Sequence, residues 1–338
     1  MCPKDSHLSD KLQAPFQIGP IAIRNRVVLA PMSGVSDLPF RSLAWRYGAG
    51  LVVTEMVASR ELVHNAEESW VRLKGAGLTP HMVQLAGRDP HWMAEAAKIA
   101  EANGADIIDI NMGCPAKKVI GGYAGSALMR EPDHALAIVE ATVKAVQVPV
   151  TLKMRLGWDE NSINAPDIAR RAEQAGIQAV TIHGRTRMQF YEGRADWDAI
   201  AAVRQAVAIP LIANGDVDSR EDALEILQRS GADAVMVGRA CQGRPWHAGV
   251  LAGGSPPPAD RIGDIVTEHY RMMLEHYGSA VGVRHSRKHL GWYLDRFAPG
   301  IDPARRAEIM TSRDAGFVEN CLRRALDSGA IEQCQEAA

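Results

Sequence analysis

The sequence predicts an α/β fold, a (β/α)8 TIM barrel, with a C-terminal small helical domain behind it. Three observations carry that prediction: short apolar runs at steady intervals, helical patterning between most of them, and one junction that repeats. The runs are Val27–Met32, Leu51–Met56, Met82–Ala86, Asp106–Asn111, Val150–Arg155, Ala179–His183, Leu211–Asn214 and Ala234–Gly238. They are nearly continuous in hydrophobicity, as strands covered on both faces are. Leu136, Val139, Val143 and Val146 keep helical spacing, and so do Ile168, Ala172 and Ala175. The junction is a helix end at Gly48, Gly104, Gly176 or Gly231, one short step before a strand. Glycine suits the left-handed position just past a helix. Pro149 and Pro210 precede two further strands, where a missing N–H is tolerated. Eight such units fit a closed barrel better than a doubly wound open sheet, the architectural alternative.

The flanking segments read differently. Phe16–Ile23, with Gly19-Pro20 at its centre, is a hairpin placed to cap the barrel's bottom. Gly253-Gly254-Ser255-Pro256-Pro257-Pro258 is a linker signal. From Asp260 onward apolar residues keep helical spacing without a convincing strand. The expected division is therefore 1–252 for the catalytic barrel with its hairpin and 253–338 for the helical domain.

Composition excludes several classes. With 46% hydrophobic and 23% charged residues over 338 positions, the chain is globular with a sizeable core. A net charge of -2 gives no global basic excess, so nucleic-acid binding would have to come from local patches. The cysteines at 2, 114, 241, 321 and 334 are odd in number and widely spaced, with no Cys-x-x-Cys. That argues against a disulfide framework, a zinc site and a cysteine-ligated iron–sulfur cluster, and no metal is expected. The polar N-terminus lacks an apolar signal core, and no apolar run approaches the roughly 20 residues that span a bilayer. A cytoplasmic location, with no membrane partner, is the expectation.

Barrel enzymes gather their chemistry at the C-terminal ends of the strands. In order, those ends present Pro31, Met32 and Ser33; Glu55 and Met56; Gln84; Asn111 with Cys114; Lys153 with Arg155; His183 with Arg185; Asn214, Gly215 and Asp216; and Gly238 with Arg239. Each has a plain structural reading: Cys114 as an inert buried thiol, Lys153 as a surface lysine, His183 as a satisfied core histidine, Asn214–Asp216 as an ordinary turn. Their agreement at eight strand ends favours a site. Gly113 and Pro115 shape the backbone around Cys114, and Lys117 and Lys118 add positive potential. Loops after the seventh and eighth strands of barrels often hold a phosphate. A phosphate site together with an inward lysine suits a phosphorylated, electron-accepting cofactor. Flavin mononucleotide (FMN) fits, with Lys153 near the ring edge that gains negative charge and with Gln84 and Asn111 as hydrogen-bonding partners. Other phosphorylated ligands fit these residues too.

The stretches APMSGVSDLPFR, TEMV, QLAG, DINMGCPAKKV, AGSAL, LKMRLGW, HGRTR, IANGD and VGRA closely resemble the tRNA-dihydrouridine synthases, and their order and spacing are most like the bacterial B-type enzyme. The resemblance runs from Ile18 to Trp292. It implies an FMN-bound barrel, NADPH as electron donor, and uridine in the tRNA D-loop as substrate, with position 17 favoured. By motif it assigns Pro31, Met32, Ser33, Gln84, Lys153, Asn214, Gly215, Asp216, Gly238 and Arg239 to FMN, sets His183 beside the flavin, and makes Cys114 the proton donor. A free thiol titrates near about 8.5, so it is mostly protonated at neutral pH, as a donor requires. Asn111 and Arg185 are expected at the substrate, and the target base must leave its stack to reach a barrel mouth. After Lys117-Lys118-Val119 the pattern departs: Ile120-Gly121-Gly122-Tyr123 stands where relatives carry a polar or basic stretch.

From 261 to 338 the chain has eleven Lys and Arg against eleven Asp and Glu, so the helical domain is not basic overall. Arg284, Arg287 and Lys288 nevertheless share one helical face, at i, i+3 and i+4, with His285 and His289 beside them. A short basic run is more often a solvated face. VRHSRKHLGWY also resembles the family's tail, which tips the reading towards tRNA phosphates. Three rivals stay open: an FMN-dependent reductase or dehydrogenase of a free pyrimidine, a lysine Schiff-base aldolase on Lys153, and a tRNA-binding module without chemistry.

Overall fold

The computed structural model describes residues 11–116, 119 and 123–336, with side chains through Asp327. Lys117, Lys118 and the divergent residues 120–122 lie outside the described residues, as does Cys2.

The hairpin forms as expected. Strands β1 (Phe16–Ile18) and β2 (Ile21–Ile23) pair antiparallel, Phe16 opposite Ile23. The barrel strands follow: β3 (Val27–Leu29), β4 (Leu51–Val52), β5 (Val57–Ala58), β6 (Met82–Ala86), β7 (Ile107–Met112), β8 (Val150–Arg155), β9 (Val180–His183), β10 (Leu211–Asn214) and β11 (Ala234–Val237). All pairings in this sheet are parallel, in the order β4-β3-β11-β10-β9-β8-β7-β6-β5. The two ends of that order are consecutive in the chain: β4 opens the expected run Leu51–Met56, and β5 begins just past its end, where no strand was expected. Val53 bridges to Met82, and Thr54 N–H donates to the Met82 carbonyl at 3.1 Å, so the sheet closes on itself.

The second strand is shorter than its sequence suggests, because its polar side chains replace ladder bonds. Thr54 Oγ1 accepts the Gln84 N–H at 3.0 Å, and the Glu55 carboxylate accepts the Gly34 N–H. The first strand likewise stops early: Ala30 N–H still bonds the Val237 carbonyl, but Met32 N–H turns to Ser36 Oγ. The other expected strands match to within about a residue at each end, the usual latitude of helix and strand boundaries.

The outer ring is built from helices α1 (Leu38–Arg46), α2 (Ser59–Val63), α3 (Glu67–Leu73), α4 (Pro90–Ala102), α5 (Pro132–Ala145), α6 (Ala165–Gln174), α7 (Trp197–Ala206), α8 (Arg220–Ser230) and α9 (His247–Leu251). Their caps are local: Asp37, Asp89 and Asp196 accept first-turn N–H groups, and Ser219 with Asp222 makes a capping box. The four predicted junction glycines all have positive φ, from +68° at Gly231 to +105° at Gly176.

Alternation along the strands sorts the barrel into two cores. Leu29, Val83, Ile108, Leu152, Ile182, Ala213 and Val235 face outward onto the helices. Val28, Met82, Ile107, Ala179, Ile212 and Ala234 face inward and pack with Phe16, Ile18 and Ile23 of the hairpin, which plugs the bottom. Helices α10 (Ile262–Tyr277), α11 (Ser279–Phe297), α12 (Pro303–Thr311) and α13 (Ala315–Glu336) form a third apolar cluster around Tyr270, Leu290, Tyr293, Leu294 and Leu322. Trp246 joins that cluster from the barrel side, so the apolar packing crosses the boundary expected at 252/253. The tail helices are tied to α1 by the Arg46–Glu268 pair, at 2.6 and 2.7 Å, and by Tyr277 O–H donating to Asp37 at 3.2 Å.

Candidate functional site

Above the apolar bottom, the same inward positions become polar. Strand register sets Gln84 beside Asp109 and Asp109 beside Thr151, then Asn111 beside Lys153, then Arg155 beside His183 and His183 beside Asn214. The lowest of these layers is bonded within itself. Asp109 accepts from Gln84 Nε2 and from Thr151 Oγ1, each at 2.6 Å. Burial raises the Asp109 carboxyl above its ordinary value, against the pull of those two donors and of Lys153. Gln84 Oε1 accepts from Asn111 Nδ2 at 2.8 Å, and Asn111 Oδ1 accepts the N–H groups of Gly113 and Cys114 at 3.2 and 3.0 Å. A hydrogen-bonded line thus runs from the barrel interior to the backbone of the cysteine loop, fixing both amide orientations and leaving each one N–H to spare.

The loop is held on its other side as well. Arg155 Nε donates to the Gly113 carbonyl at 2.9 Å, and its Nη1 donates to Thr186 and Phe190 carbonyls at 2.8 Å. Ser126 donates to the Cys114 carbonyl from both its N–H (3.1 Å) and its Oγ (3.0 Å). Cys114 is half-buried, whereas Cys241 is buried and its thiol is pushed up to about 12 by burial. Only the first has the exposure a reacting thiol needs.

These groups open onto a cavity of about 810 Å³, lined among others by Met32, Cys114, Lys153, His183, Tyr191 and Arg239. That is within the ordinary range for a cofactor pocket. Pro31, Ser33, Gln84, Asn111, Asn214, Gly215, Asp216 and Gly238 line it too. The Lys153 ammonium makes no hydrogen bond or ion pair with any described residue; burial, then Arg155, lowers its pKa to about 8. His183 is held well below its ordinary value by burial, then by Arg155, Lys153, Arg185 and Arg239, so the ring is neutral. Arg185 Nη1 lies 3.4 Å from His183 Nε2. A guanidinium can only donate, so Nε2 accepts and the ring proton sits on Nδ1.

The turns expected to hold a phosphate differ in detail from that expectation. Gly215 (φ +129°) and Asp216 (φ +54°) form a tight turn; a Cβ on Gly215 would meet Ala195 Cβ at 2.6 Å. The N–H groups of Gly215, Asp216 and Gly238 have no acceptor among the described residues. The Asp216 carboxylate itself is spent on the protein. It accepts from Arg185 at 2.9 and 2.6 Å, from Arg239 at 2.9 Å and from Ala195 N–H at 2.8 Å. Burial opposes ionisation, yet these donors and the two cations hold its pKa below the ordinary carboxylate value. Arg185, expected at the substrate, is saturated: Nε donates to Glu192, Nη2 to Gly193 and Asp216, and Nη1 to Asp216 beside the His183 contact. It positions the loop and His183 and has no donor left for a ligand. A three-residue 3-10 turn, Arg239–Cys241, follows Gly238.

The predicted basic face divides. Arg284 and Lys288 are exposed on α11, and Lys288 Nζ lies 2.6 Å from where a Gly34 Cβ would be, over the loop after β3. Arg287 is half-buried and donates from Nη2 to the Thr311 and Ser312 carbonyls, capping the C-terminal end of α12. His289 is buried. Sequence reasoning left Arg155, Tyr191 and Arg296 without roles, though all three line the cavity. Arg155 was legible, since it lies two residues from Lys153 and so on the same strand face. Tyr191, from an irregular loop, and Arg296, from the far end of α11, carried no such signal.

In sequence and in fold the chain is similar to known proteins. The family model described as dihydrouridine synthase matches residues 28–328. The chain is 74% identical over 312 residues to a protein of Rhizobium leguminosarum bv. phaseoli named probable tRNA-dihydrouridine synthase, covering 92% of this chain and 98% of that one. It is 49% identical over 288 residues to tRNA-dihydrouridine synthase B of Pseudomonas aeruginosa, covering 82% and 86% respectively. In fold it is similar to histamine dehydrogenase from Rhizobium sp. 4-9, with a TM-score of 0.58 at 14% identity over 95% of this chain and 65% of that one.

Proposed function

The chain belongs to the dihydrouridine synthase family, and from that premise we propose that it reduces the uridine C5=C6 bond in the D-loop of tRNA, using FMN and NADPH, with position 17 favoured. The observation that carries this reading is the pairing, in one cavity, of an accessible thiol on a doubly anchored loop with an unpartnered lysine.

The residues suit FMN. The free N–H groups of Gly215, Asp216 and Gly238, beside Arg239, would hold the phosphate, the last through whatever donors its bond to Asp216 leaves. Pro31, Met32 and Ser33 would pack against the ring, and the spare amide N–H groups of Gln84 and Asn111 would meet its polar edge. The Lys153 ammonium would offset the negative charge that reduction brings. When bound and reduced by NADPH, the flavin supplies a hydride to C6 of the uracil.

The chain's part is the proton. Cys114 Sγ gives it to C5, and Asn111 and Arg155 keep that thiol's loop in place. His183, neutral and fixed by Arg185, offers one N–H and no acid. Arg284 and Lys288 would contact tRNA phosphates from the tail helices. Acting on tRNA, the enzyme would work in the cytoplasm; no helix of the described residues is long and apolar enough to cross a membrane.

The test is to delete the gene, map dihydrouridine across the cell's tRNAs, and restore it with the wild-type chain or with Cys114→Ala. Loss confined to D-loop sites and restored only by the wild type is expected. Unchanged dihydrouridine, or a purified protein that is colourless and takes up no FMN, overturns the reading. Turnover of free uridine as fast as tRNA would favour the free-pyrimidine rival.

A further inference from the structure

Away from the cavity, the contact between barrel and tail encloses Asp37, His269 and His289, all buried. Asp37 caps α1 from the barrel side, His269 comes from α10 and His289 from α11. One potential ligand atom from each lies within 4.8 Å of the other two. His269 Nε2 and both ring nitrogens of His289 have no hydrogen-bond partner among the described residues. Buried polar atoms are rarely left so, and three in one place call for an occupant.

We propose that Asp37, His269 and His289 bind a divalent transition-metal cation of the zinc class, which clamps the helical tail to the barrel.

The donor set suits such an ion. Two neutral imidazoles and a carboxylate, with a water completing four, match zinc in type and number. His269 Nδ1 lies 2.9 Å from Tyr293 Oη; an Nδ1–H donated to that oxygen leaves Nε2 deprotonated as the ligand. Asp37 is steadied through its other contacts, accepting from Phe40 N–H at 3.1 Å and from Tyr277 O–H at 3.2 Å. Zinc–ligand bonds of about 2.0–2.2 Å require the three atoms to draw together by up to about an ångström, within the reach of ring rotation. Phe40, Tyr293 and Trp292 rings surround the two imidazoles and limit water. Charges facing the cluster offset one another, two of each sign: Arg41 and Glu55 act on Asp37, Glu268 acts on His269, and Lys288 acts on His289. The cysteine spacing could not reveal this site, because its ligands come from positions 37, 269 and 289 and include no thiol.

The test uses full-length protein prepared without a metal-binding tag, stripped by dialysis against a chelator, then titrated with zinc chloride in competition with a chromophoric chelator. One equivalent of zinc bound per chain is expected, together with a higher melting temperature. Asp37→Asn, which keeps the helix cap, and His289→Gln should each weaken binding by about 100-fold or more, since losing even an outer partner of a ligand costs about 10–100-fold. Cys114→Ala should bind zinc normally, which excludes the reactive thiol as the ligand. Should His289→Gln fail to fold, Asp37→Asn and the wild-type titration still decide. No stoichiometric zinc and no change in melting would mean that an ordered water fills the space, and the proposal falls. Equal binding by wild type and Asp37→Asn would also overturn it.

Discussion

The two ends of the barrel are built on the same strands and differ by a single pleat. Inward positions Met82, Ile107, Ala179, Ile212 and Ala234 close the bottom with the hairpin's Phe16, Ile18 and Ile23. Two residues further along, Gln84, Asp109, Thr181 and Asn214 begin the polar end. At the bottom every side chain has apolar neighbours and a change should cost stability. At the top most polar groups are satisfied by one another, and the exceptions, Lys153, one amide N–H each of Gln84 and Asn111, and the N–H groups of Gly215, Asp216 and Gly238, are the ones a ligand would complete. An unmet valence, rather than polarity as such, marks the functional end.

The largest effect expected at the top is kinetic. Cys114→Ala should slow flavin reoxidation by tRNA by roughly 10²–10⁴-fold, the usual worth of a positioned general acid. Flavin reduction by NADPH and the melting temperature should stay near wild type. Stopped-flow absorbance, first with NADPH and then with tRNA, separates the steps; normal reoxidation would remove Cys114 from the chemistry.

At the bottom the forecast is reversed. Ile18 is fully buried, so Ile18→Ala should cost about 2–5 kcal/mol through reduced burial and the cavity it leaves. Denaturant unfolding measures this. The remaining folded protein should reoxidise with tRNA at the wild-type rate, and a slowed rate would break the separation of the two ends.

Lys153 gives a pH signature. In the apoprotein its pKa is lowered to about 8 by burial, below its value in an unfolded chain. The charged form therefore destabilises the empty fold below about pH 8. That cost is relieved as pH rises from about 8 towards 10.5, the reverse of a lysine that gains a partner. Binding FMN calls for the charged form, so affinity should fall above about pH 8, by up to roughly tenfold per pH unit for the one proton taken up. Fluorescence titration of apoprotein from pH 7 to 10 reads this, and Lys153→Met should bind weakly with no such slope. A wild-type affinity flat across that range would assign Lys153 elsewhere.

The strands were legible because burial on both faces leaves an apolar run, and the rim was legible because strand ends could be counted. The break after Val52 was not, since it depends on Thr54 meeting the Gln84 N–H across the sheet. The sequence showed Asp216 and Arg185 as polar rim residues, but only the fold reveals that they neutralise each other. Arg287 carried the right charge at the right helical spacing, yet its guanidinium reaches carbonyls 24 and 25 positions away in sequence. Spacing reports which face a residue shares, and tertiary contact decides whether its charge is free.

That distinction sets the smallest expected effect. Arg284 and Lys288 are exposed, and neither forms a described hydrogen bond or ion pair. Removing one phosphate-binding cation should flatten the slope of log affinity against log salt by roughly one unit. The double variant Arg284→Ala/Lys288→Ala should therefore lower that slope by about two units, leaving melting and NADPH oxidation without tRNA unchanged. Arg287→Ala makes a contrasting pair. Removing that side chain uncaps α12, so it should lower the melting temperature while leaving the salt slope of the folded protein nearly intact. Filter binding or fluorescence anisotropy across a salt series, on variants checked by thermal melting, distinguishes the two. An unchanged slope in the double variant would return that face to ordinary solvent. A flattened slope in Arg287→Ala with no loss of stability would mean that its guanidinium leaves the helix end to meet the RNA.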